Sequence, residues 1–467
     1  MLLNPEIFKA YDIRGVYGKD FDEEMAYRLG RAFVQLRQED EDIKKITKKN
    51  GQPPQLNIVV GRDMRLSSPE LKKALIRGLV DAGAKVIDIG LTSTPTFYFA
   101  IGYFGYDGGI MVSASHNPPE YNGFKLARAK ALPVSRETGI NALRDKITAN
   151  KFGSPASRGQ VMERKDVLAH QVEHDLGFVN LDEIKPFKVV ADPANGMGAQ
   201  YLEALFARLP CQLVKINFRL DGTFPAHEAD PLKEENLAQL KEKVLAEKAD
   251  LGIATDGDGD RIFFVDNEGE VISPAIVRGL LAMIFLREKP GAKICYDIRP
   301  GRITRDLIKQ YGGVPVITRV GHSLIKEQAI AEGAYFAGES SGHFFLNMDI
   351  GCFEVPMIVI LKLLREFSQA NKPVAEFIKP FRKYWHSGEI NMEVADKDKI
   401  LTELERKYDD GKINKLDGLS VEYEDWWFNV RPSNTEPKLR LNLEAKTKEL
   451  METKRDEVLA FIKSINS

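Results

Sequence analysis

Apolar residues recur along the chain in two registers. Short apolar runs such as 56–60 end in polar loops, here G-R-D-M-R, and a stretch with a leucine every fourth position follows. Leu71, Leu75 and Leu79 fall on one helix face at that spacing, and Ser68 before Pro69 predicts the N-cap and first turn. Gly83 closes this helix, and A-K-V-I-D-I-G is the next strand. The same order of strand, polar loop, helix and strand returns from F-K-V-V-A-D at 187 and from A-K-I-C-Y-D-I-R at 292. Three rounds predict three similar α/β domains with mixed sheets. A helix is also expected around 23–38, with the charged stretch 39–52 as a surface excursion. The last stretch differs. S-G-E-I-N-M-E-V (387–394), W-W-F-N-V (426–430), the alternating L-R-L-N-L (439–443) and a helix from about Thr447 predict a smaller α+β domain. The expected divisions are 1–153, 154–270, 271–383 and 384–467. Sheets of this kind carry ligand loops at the carboxyl ends of their strands, where Arg62, Asp192 and Arg299 fall, so the domains are expected to surround a central cleft.

Composition narrows the class. A chain of 467 residues, 43% hydrophobic, has room for several cores. Its 66 basic and 68 acidic side chains leave a formal net charge of −2, so no global field favours nucleic acid or an anionic membrane, and any anionic ligand needs a local cluster. Three widely spaced cysteines, Cys211, Cys295 and Cys352, fit core thiols in a reducing compartment. The N-terminus shows no basic segment followed by an apolar run. The most membrane-like run, 280–286, is far shorter than the ~20 residues of a span. A cytoplasmic protein is expected, monomeric or weakly dimeric.

The candidate chemistry lies in four loops. In 108–125, the apolar residues Ile110, Met111 and Val112 end a strand, and Asn117, Pro118, Pro119, Asn122 and Gly123 form turns that hold Ser115 and His116 at a solvent-facing elbow. Ser115 is a candidate nucleophile, and His116 and Lys125 are groups able to activate it. In D-G-D-G-D-R (256–261), an extended backbone would point Asp256, Asp258 and Asp260 the same way from a surface loop, and the glycines let the loop curl around an ion. Three carboxylates without His or Cys favour Mg²⁺ or Ca²⁺ over zinc, and a calcium EF-hand is excluded because Arg261 and Asn267 stand at its sixth and twelfth positions. Arg261 is placed to hold phosphoryl oxygens. G-E-S-S-G-H (338–343) sets Glu339, Ser341 and His343 between glycines, a carboxylate and a hydroxyl suited to two adjacent sugar hydroxyls. R-P-S-N-T-E-P (431–437) gathers Arg431, Ser433, Asn434 and Thr435 into an anion nest before a strand.

Together, and in this order, the four motifs resemble the α-D-phosphohexomutases, most closely their phosphomannomutase/phosphoglucomutase branch. The resemblance implies reversible conversion of a hexose 1-phosphate into its 6-phosphate, with mannose or glucose as the sugar. The route implied is a phosphoserine at Ser115 and a bisphosphorylated sugar that turns over in the cleft. It further implies one Mg²⁺ per chain held by Ser115, Asp256, Asp258 and Asp260, and a hexose 1,6-bisphosphate activator. Tyr11 and Arg14, in F-K-A-Y-D-I-R-G, then belong beside the phosphoserine, with His116, Lys125 and Arg14 unranked as proton handlers. His322, in V-G-H-S, joins Glu339, Ser341 and His343 in reading the sugar, while Arg431, Ser433, Asn434 and Thr435 grip the phosphate that is not transferred. Two departures from the pattern are Ser340, where many relatives carry methionine, and Arg299, where relatives often carry lysine. The alternatives are a phosphoglucosamine mutase and a non-catalytic sugar-phosphate sensor; the latter has no need of Ser115 together with three aspartates.

Overall fold

The computed structural model describes residues 2–50, 53–155, 157–432 and 438–466. Its contacts divide into two compact units, Met1–Ile272 with Gly342–Ala375, and Ser273–Ser341 with Glu376–Ser467.

The first unit is built on two mixed sheets. Six strands lie in the order Ile13–Val16, Tyr121–Arg128, Gly108–Val112, Asn57–Arg62, Lys85–Leu91 and Gln160–Glu163. Asn57–Arg62 runs parallel to both neighbours, whereas Tyr121–Arg128 turns back antiparallel on Gly108–Val112. That reversal creates the elbow at 113–120. The strand Gln160–Glu163 pairs with Lys85–Leu91, so this sheet draws on residues beyond 153. The second sheet has the order Val271–Ile272, Ile262–Asp266, Leu251–Thr255, Lys188–Asp192 and Gln212–Lys215. Leu251–Thr255 and Ile262–Asp266 are antiparallel neighbours, which makes 256–261 the tip of a hairpin. A further hairpin, Phe344–Met348 with Gly351–Glu354, also belongs to this unit.

The helix Glu23–Gln38 starts where Asp22 accepts a hydrogen bond from the Met25 amide. It crosses the helix Ser68–Asp81, whose Leu71, Leu75 and Leu79 are fully buried as their spacing predicts. Each such leucine contributes roughly 1.5–3 kcal/mol. Glycines on both helices permit the crossing: a Cβ at Gly78 would lie 1.9 Å from the Tyr27 carbonyl oxygen, and one at Gly30 would lie 2.5 Å from that of Leu75.

In the second unit, Lys293–Asp297 lies between parallel neighbours Val314–Thr318 and Phe336–Gly338. The C-terminal sheet is antiparallel. Lys438–Ala445 pairs with Trp385–His386, Ile390–Glu393 and Trp426–Pro432, and the sheet continues through Leu419–Glu422 to Lys412–Asn414. Alternation in the sequence is read out directly, since Leu439, Leu441, Leu443 and Ala445 are all fully buried in the core with Val458 and Ile462 of the last helix. The expected three α/β domains and smaller α+β domain are thus present.

Three local readings are corrected. The stretch after residue 39 contains a helix, Glu41–Asn50, because Ile43 is buried in the first core. The N-cap before Pro69 is Ser67, not Ser68, whose hydroxyl instead donates to Asp63 Oδ1 at 2.6 Å. The run 280–286 agrees with its reading as too short for a span: it lies within a buried helix, Pro274–Glu288, and no helix among the described residues is long and apolar enough to cross a membrane. All three cysteines are free, but only Cys295 and Cys352 are core thiols; Cys211 is half-buried.

Gly78→Ala tests the helix crossing. It should lower the thermal midpoint by overpacking worth ~1–3 kcal/mol, although the same change in an open helix stabilises by up to ~1 kcal/mol. An unchanged or raised midpoint would contradict the close approach.

Candidate active site

Ser115 follows the strand Gly108–Val112 with a left-handed backbone, φ 52°, and is only 3% exposed. Ser115 is therefore buried, not solvent-facing, while His116 and Asn117 are half-buried and Pro118, Pro119 and Glu120 form the exposed tip of the elbow. Its amide donates to Ser113 Oγ at 3.0 Å, and its hydroxyl donates to Asp256 Oδ2 at 2.8 Å. His116 Nδ1 lies 3.2 Å from the same hydroxyl. What fixes the elbow is Arg65, a fully buried guanidinium that donates to the carbonyls of Ser115 (2.9 Å), Asn117 (2.6 Å), Pro118 (2.7 Å) and Tyr121 (3.0 Å). Asp63 pairs with it at 3.3 Å, and its guanidinium lies 5.0 Å from the centre of the Phe224 ring. Arg14 donates to Asn117 Oδ1 at 2.7 Å and pairs with Asp12. Tyr11 is half-buried three residues before it.

The hairpin tip brings Asp256, Asp258 and Asp260 together through the curl that its glycines were expected to allow, not through an extended backbone. Gly259 adopts φ +75°, and Asp256 Oδ1 accepts the amides of Asp260 and Arg261 at 3.1 and 3.2 Å, so the loop curls on its own first carboxylate. Nor is it a surface loop, since the three aspartates are at most 2% exposed. Gly257 is required by the serine itself: a Cβ there would stand 2.4 Å from the Ser115 carbonyl oxygen.

Lys125 bridges the remaining charge. Its Nζ lies 2.6 Å from Asp258 Oδ2 and 2.5 Å from Asp260 Oδ2, and Thr94 Oγ1 donates to Asp258 Oδ2 at 2.6 Å. Burial would lower the ammonium pKa, but Asp258 and Asp260 override it and hold the value well above the usual lysine range. Burial, followed by Asp260 and Asp258, pushes the Asp256 carboxyl well above the carboxylate range. His116 keeps some exposed surface, yet crowding by protein, then Arg261, Arg14, Lys125 and His343, holds its imidazole well below the ordinary value.

One oxygen from each aspartate lies within 4.8 Å of the others. Asp258 Oδ1 and Asp260 Oδ1 are buried without a hydrogen-bond partner. Unpartnered anionic oxygens of this kind are costly unless a cation completes them, so the donor set fits a hard divalent ion. Arg261 stands beside this cluster, with Nε donating to His343 Nε2 at 3.2 Å and a weaker approach to Asp230 at 3.4 Å. His343 Nδ1 is 3.5 Å from Asp260 Oδ1. Ser115, His116, Lys125, the three aspartates, Arg261 and His343 therefore form one assembly in the first unit.

The second unit holds the other candidates. Arg299 pairs with Asp297 at 2.5 Å and lies 3.7 Å from Glu339. Ser341 Oγ donates to Glu339 Oε2 at 3.3 Å, and the Gly321 amide donates to Glu339 Oε1 at 2.9 Å. His322, next in sequence, opens the helix His322–Glu332. Ser340 is not free to read a ligand, because its amide and hydroxyl both donate to Asp297, which Arg278 also binds at 2.7 Å. Arg431 is buried and donates to Glu389 Oε2 at 2.8 Å; Arg431, Arg299 and Arg440 overcome burial to hold that carboxyl below its usual range. Ser433, Asn434 and Thr435 lie outside the described residues.

Arg65, Thr94 and Glu389 escaped the sequence reading. Arg65 and Asp63 do share one loop at a strand end, and Thr94 opens a helix; Glu389 carries no local signal.

Fold and site together define a phosphohexomutase-type enzyme of three α/β domains and a C-terminal domain. The chain belongs to the phosphoglucomutase/phosphomannomutase family, whose alpha/beta/alpha domains I, II and III match residues 5–154, 169–269 and 276–384, and whose C-terminal domain matches 389–461. It is 39% identical to a phosphomannomutase of Vibrio cholerae, with 98% of each chain covered. It is 38% identical to a phosphomannomutase/phosphoglucomutase of Pseudomonas aeruginosa, covering 100% of this chain and 97% of that one. A crystal structure of a phosphoglucomutase/phosphomannomutase family protein from Burkholderia thailandensis superposes with TM-score 0.88 at 33% identity, covering 99% of this chain and 98% of that one.

Arg65→Met keeps the apolar stem and removes the fork. Denaturation should show a loss of ~3–5 kcal/mol, because a buried carboxylate and four carbonyls lose their donor, and Arg65→Lys should restore little of it. Wild-type stability in the methionine variant would refute the clamp.

Proposed function

We propose that the protein interconverts hexose 1-phosphate and hexose 6-phosphate, with mannose or glucose as the sugar, through a phosphorylated Ser115. The observation that carries this reading is the buried Ser115 hydroxyl 2.8 Å from Asp256, in one assembly with Asp258, Asp260 and Lys125. Phosphorylated, Ser115 gives its phosphoryl group to a free sugar hydroxyl: the P–O bond to Ser115 breaks, one to the sugar forms, and the hydroxyl proton passes to a base. The bisphosphorylated sugar then returns its other phosphate to Ser115 by the reverse exchange.

His116, beside the serine and depressed in basicity, is a neutral proton acceptor at pH 7 on this reading, whereas Lys125 stays an ammonium that compensates charge on the serine oxygen. Asp256, Asp258, Asp260 and the phosphorylated Ser115 are the proposed holders of one Mg²⁺, which when bound supplies Lewis-acid withdrawal of charge from the phosphoryl oxygens. Arg14, Tyr11 and Arg261 are assigned to the transferring phosphate. Glu339, Ser341, His322 and His343 are assigned to the sugar, Arg299 to anion balance beside Glu339, and Arg431 with Ser433, Asn434 and Thr435 to the distal phosphate. Accordingly 1–153 carries the serine, 154–270 the metal loop, 271–383 the sugar loop and 384–467 the distal grip. A hexose 1,6-bisphosphate activator follows from the need to start with a phosphorylated serine.

Intact-mass analysis should reveal a population heavier by one phosphate, mapping to the peptide with Ser115 and lost on incubation with unphosphorylated hexose. Ser115→Ala should abolish it and lower kcat at least ~10²-fold. A wild-type rate in this variant would overturn the mechanism. Asp258→Asn, or removal of divalent ions, should abolish turnover with the circular dichroism retained; full activity in excess chelator sinks the metal assignment. Arg431→Ala should raise KM ~10-fold or more, as one charge-assisted contact of ~1.5–3 kcal/mol is lost. Rates on mannose, glucose and glucosamine 1-phosphates set the substrate, and a preference for the amino sugar would favour the phosphoglucosamine alternative.

A further inference from the structure

The helix Arg302–Gln310 and strands of the C-terminal sheet, all in the second unit, line an open cavity of about 420 Å³. Arg302, Arg305 and Lys309 enter it from one helix face, at i, i+3 and i+7, and Lys412 and Lys446 complete the wall. Five cationic side chains thus meet two lining carboxylates, Glu422 and Glu424. Their commitments differ. Arg302 is 5% exposed and anchored, donating to the carbonyls of Glu424 at 2.9 Å, Trp426 at 3.0 Å and Tyr423. Arg305 shares Glu422 with it at 2.6 Å, and Lys446 pairs with Asp425 at 2.5 Å just outside. Lys309 and Lys412 have no acidic partner within 4.0 Å among the described residues. Tyr423, also in the wall, is held by its stack on Trp426, with ring centroids 4.7 Å apart.

We propose that this cavity is a second anion site, for a small molecule carrying two linked phosphoryl groups. Concentrated positive charge in a concave surface is costly unless an anion answers it, and the protein answers only part of it. Two ammonium groups on different walls, Lys309 on the helix and Lys412 on the sheet, match a ligand with two linked phosphoryl groups, one for each. Such a ligand bridges the helix and the C-terminal sheet through Lys309 and Lys412. Neither lysine belongs to the proposed catalytic machinery, so binding here does not depend on the mutase reading.

The test is calorimetric titration of the full-length protein with pyrophosphate in divalent-free buffer. The wild type should bind it, the double variant Lys309→Gln/Lys412→Gln should lose at least ~10-fold in affinity, and Arg431→Ala should retain that component. Inorganic phosphate should bind the same site at least ~10-fold more weakly. Both lysines are exposed, so thermal midpoints of the double variant should match the wild type. No binding at millimolar pyrophosphate, equal affinity in the lysine variant, loss only in Arg431→Ala, or equal affinity for single phosphate would each overturn the proposal.

Discussion

Three carboxylates buried within 4.8 Å of one another repel, and the rest of the first unit is arranged around that repulsion. At an effective dielectric of about 20, two unit charges 4 Å apart interact by ~4 kcal/mol, too much to leave uncompensated in a marginally stable fold. The chain answers from different parts of the sequence. Lys125 comes from the strand Tyr121–Arg128, Thr94 from a helix start, Ser115 from the elbow, and the Asp260 and Arg261 amides from the loop itself. Two oxygens still lack a hydrogen-bond partner, and these give the cluster its capacity for a cation.

Charge neutralisation also explains why Arg65 matters without touching a carboxylate of the triad. Lys125 and Ser115 reach the aspartates from opposite ends of one turn, so the turn must keep its shape for both contacts to survive. Arg65 holds that shape by satisfying carbonyls that would otherwise be buried alone. The same principle recurs in the second unit, where Arg278 and Arg299 share Asp297 and so fix the backbone that carries Ser340.

The repeated α/β pattern was legible because buried parallel strands read as apolar runs and their helices as four-residue periodicity; Leu71, Leu75 and Leu79 required no tertiary knowledge. Glu41–Asn50 was not legible, since Ile43 and Ile46 are its two apolar positions among charged and polar residues and make too short a stripe to separate a helix from a solvated loop. In the site, residue type told what Ser115 and the three aspartates could do. It did not tell how the loop curls, because that depends on a positive φ at Gly259 and on the Ser115 carbonyl pressed against Gly257. Partners separated by fifty or more residues, such as Arg65 and the elbow, leave no local periodicity to read.

The left-handed backbone at Ser115 has a consequence for which hydroxyl this position can carry. A β-branched side chain is disfavoured in that region, so threonine would add strain of ~1–3 kcal/mol. The backbone of this elbow thus favours serine over threonine as its alcohol, before any question of reactivity arises.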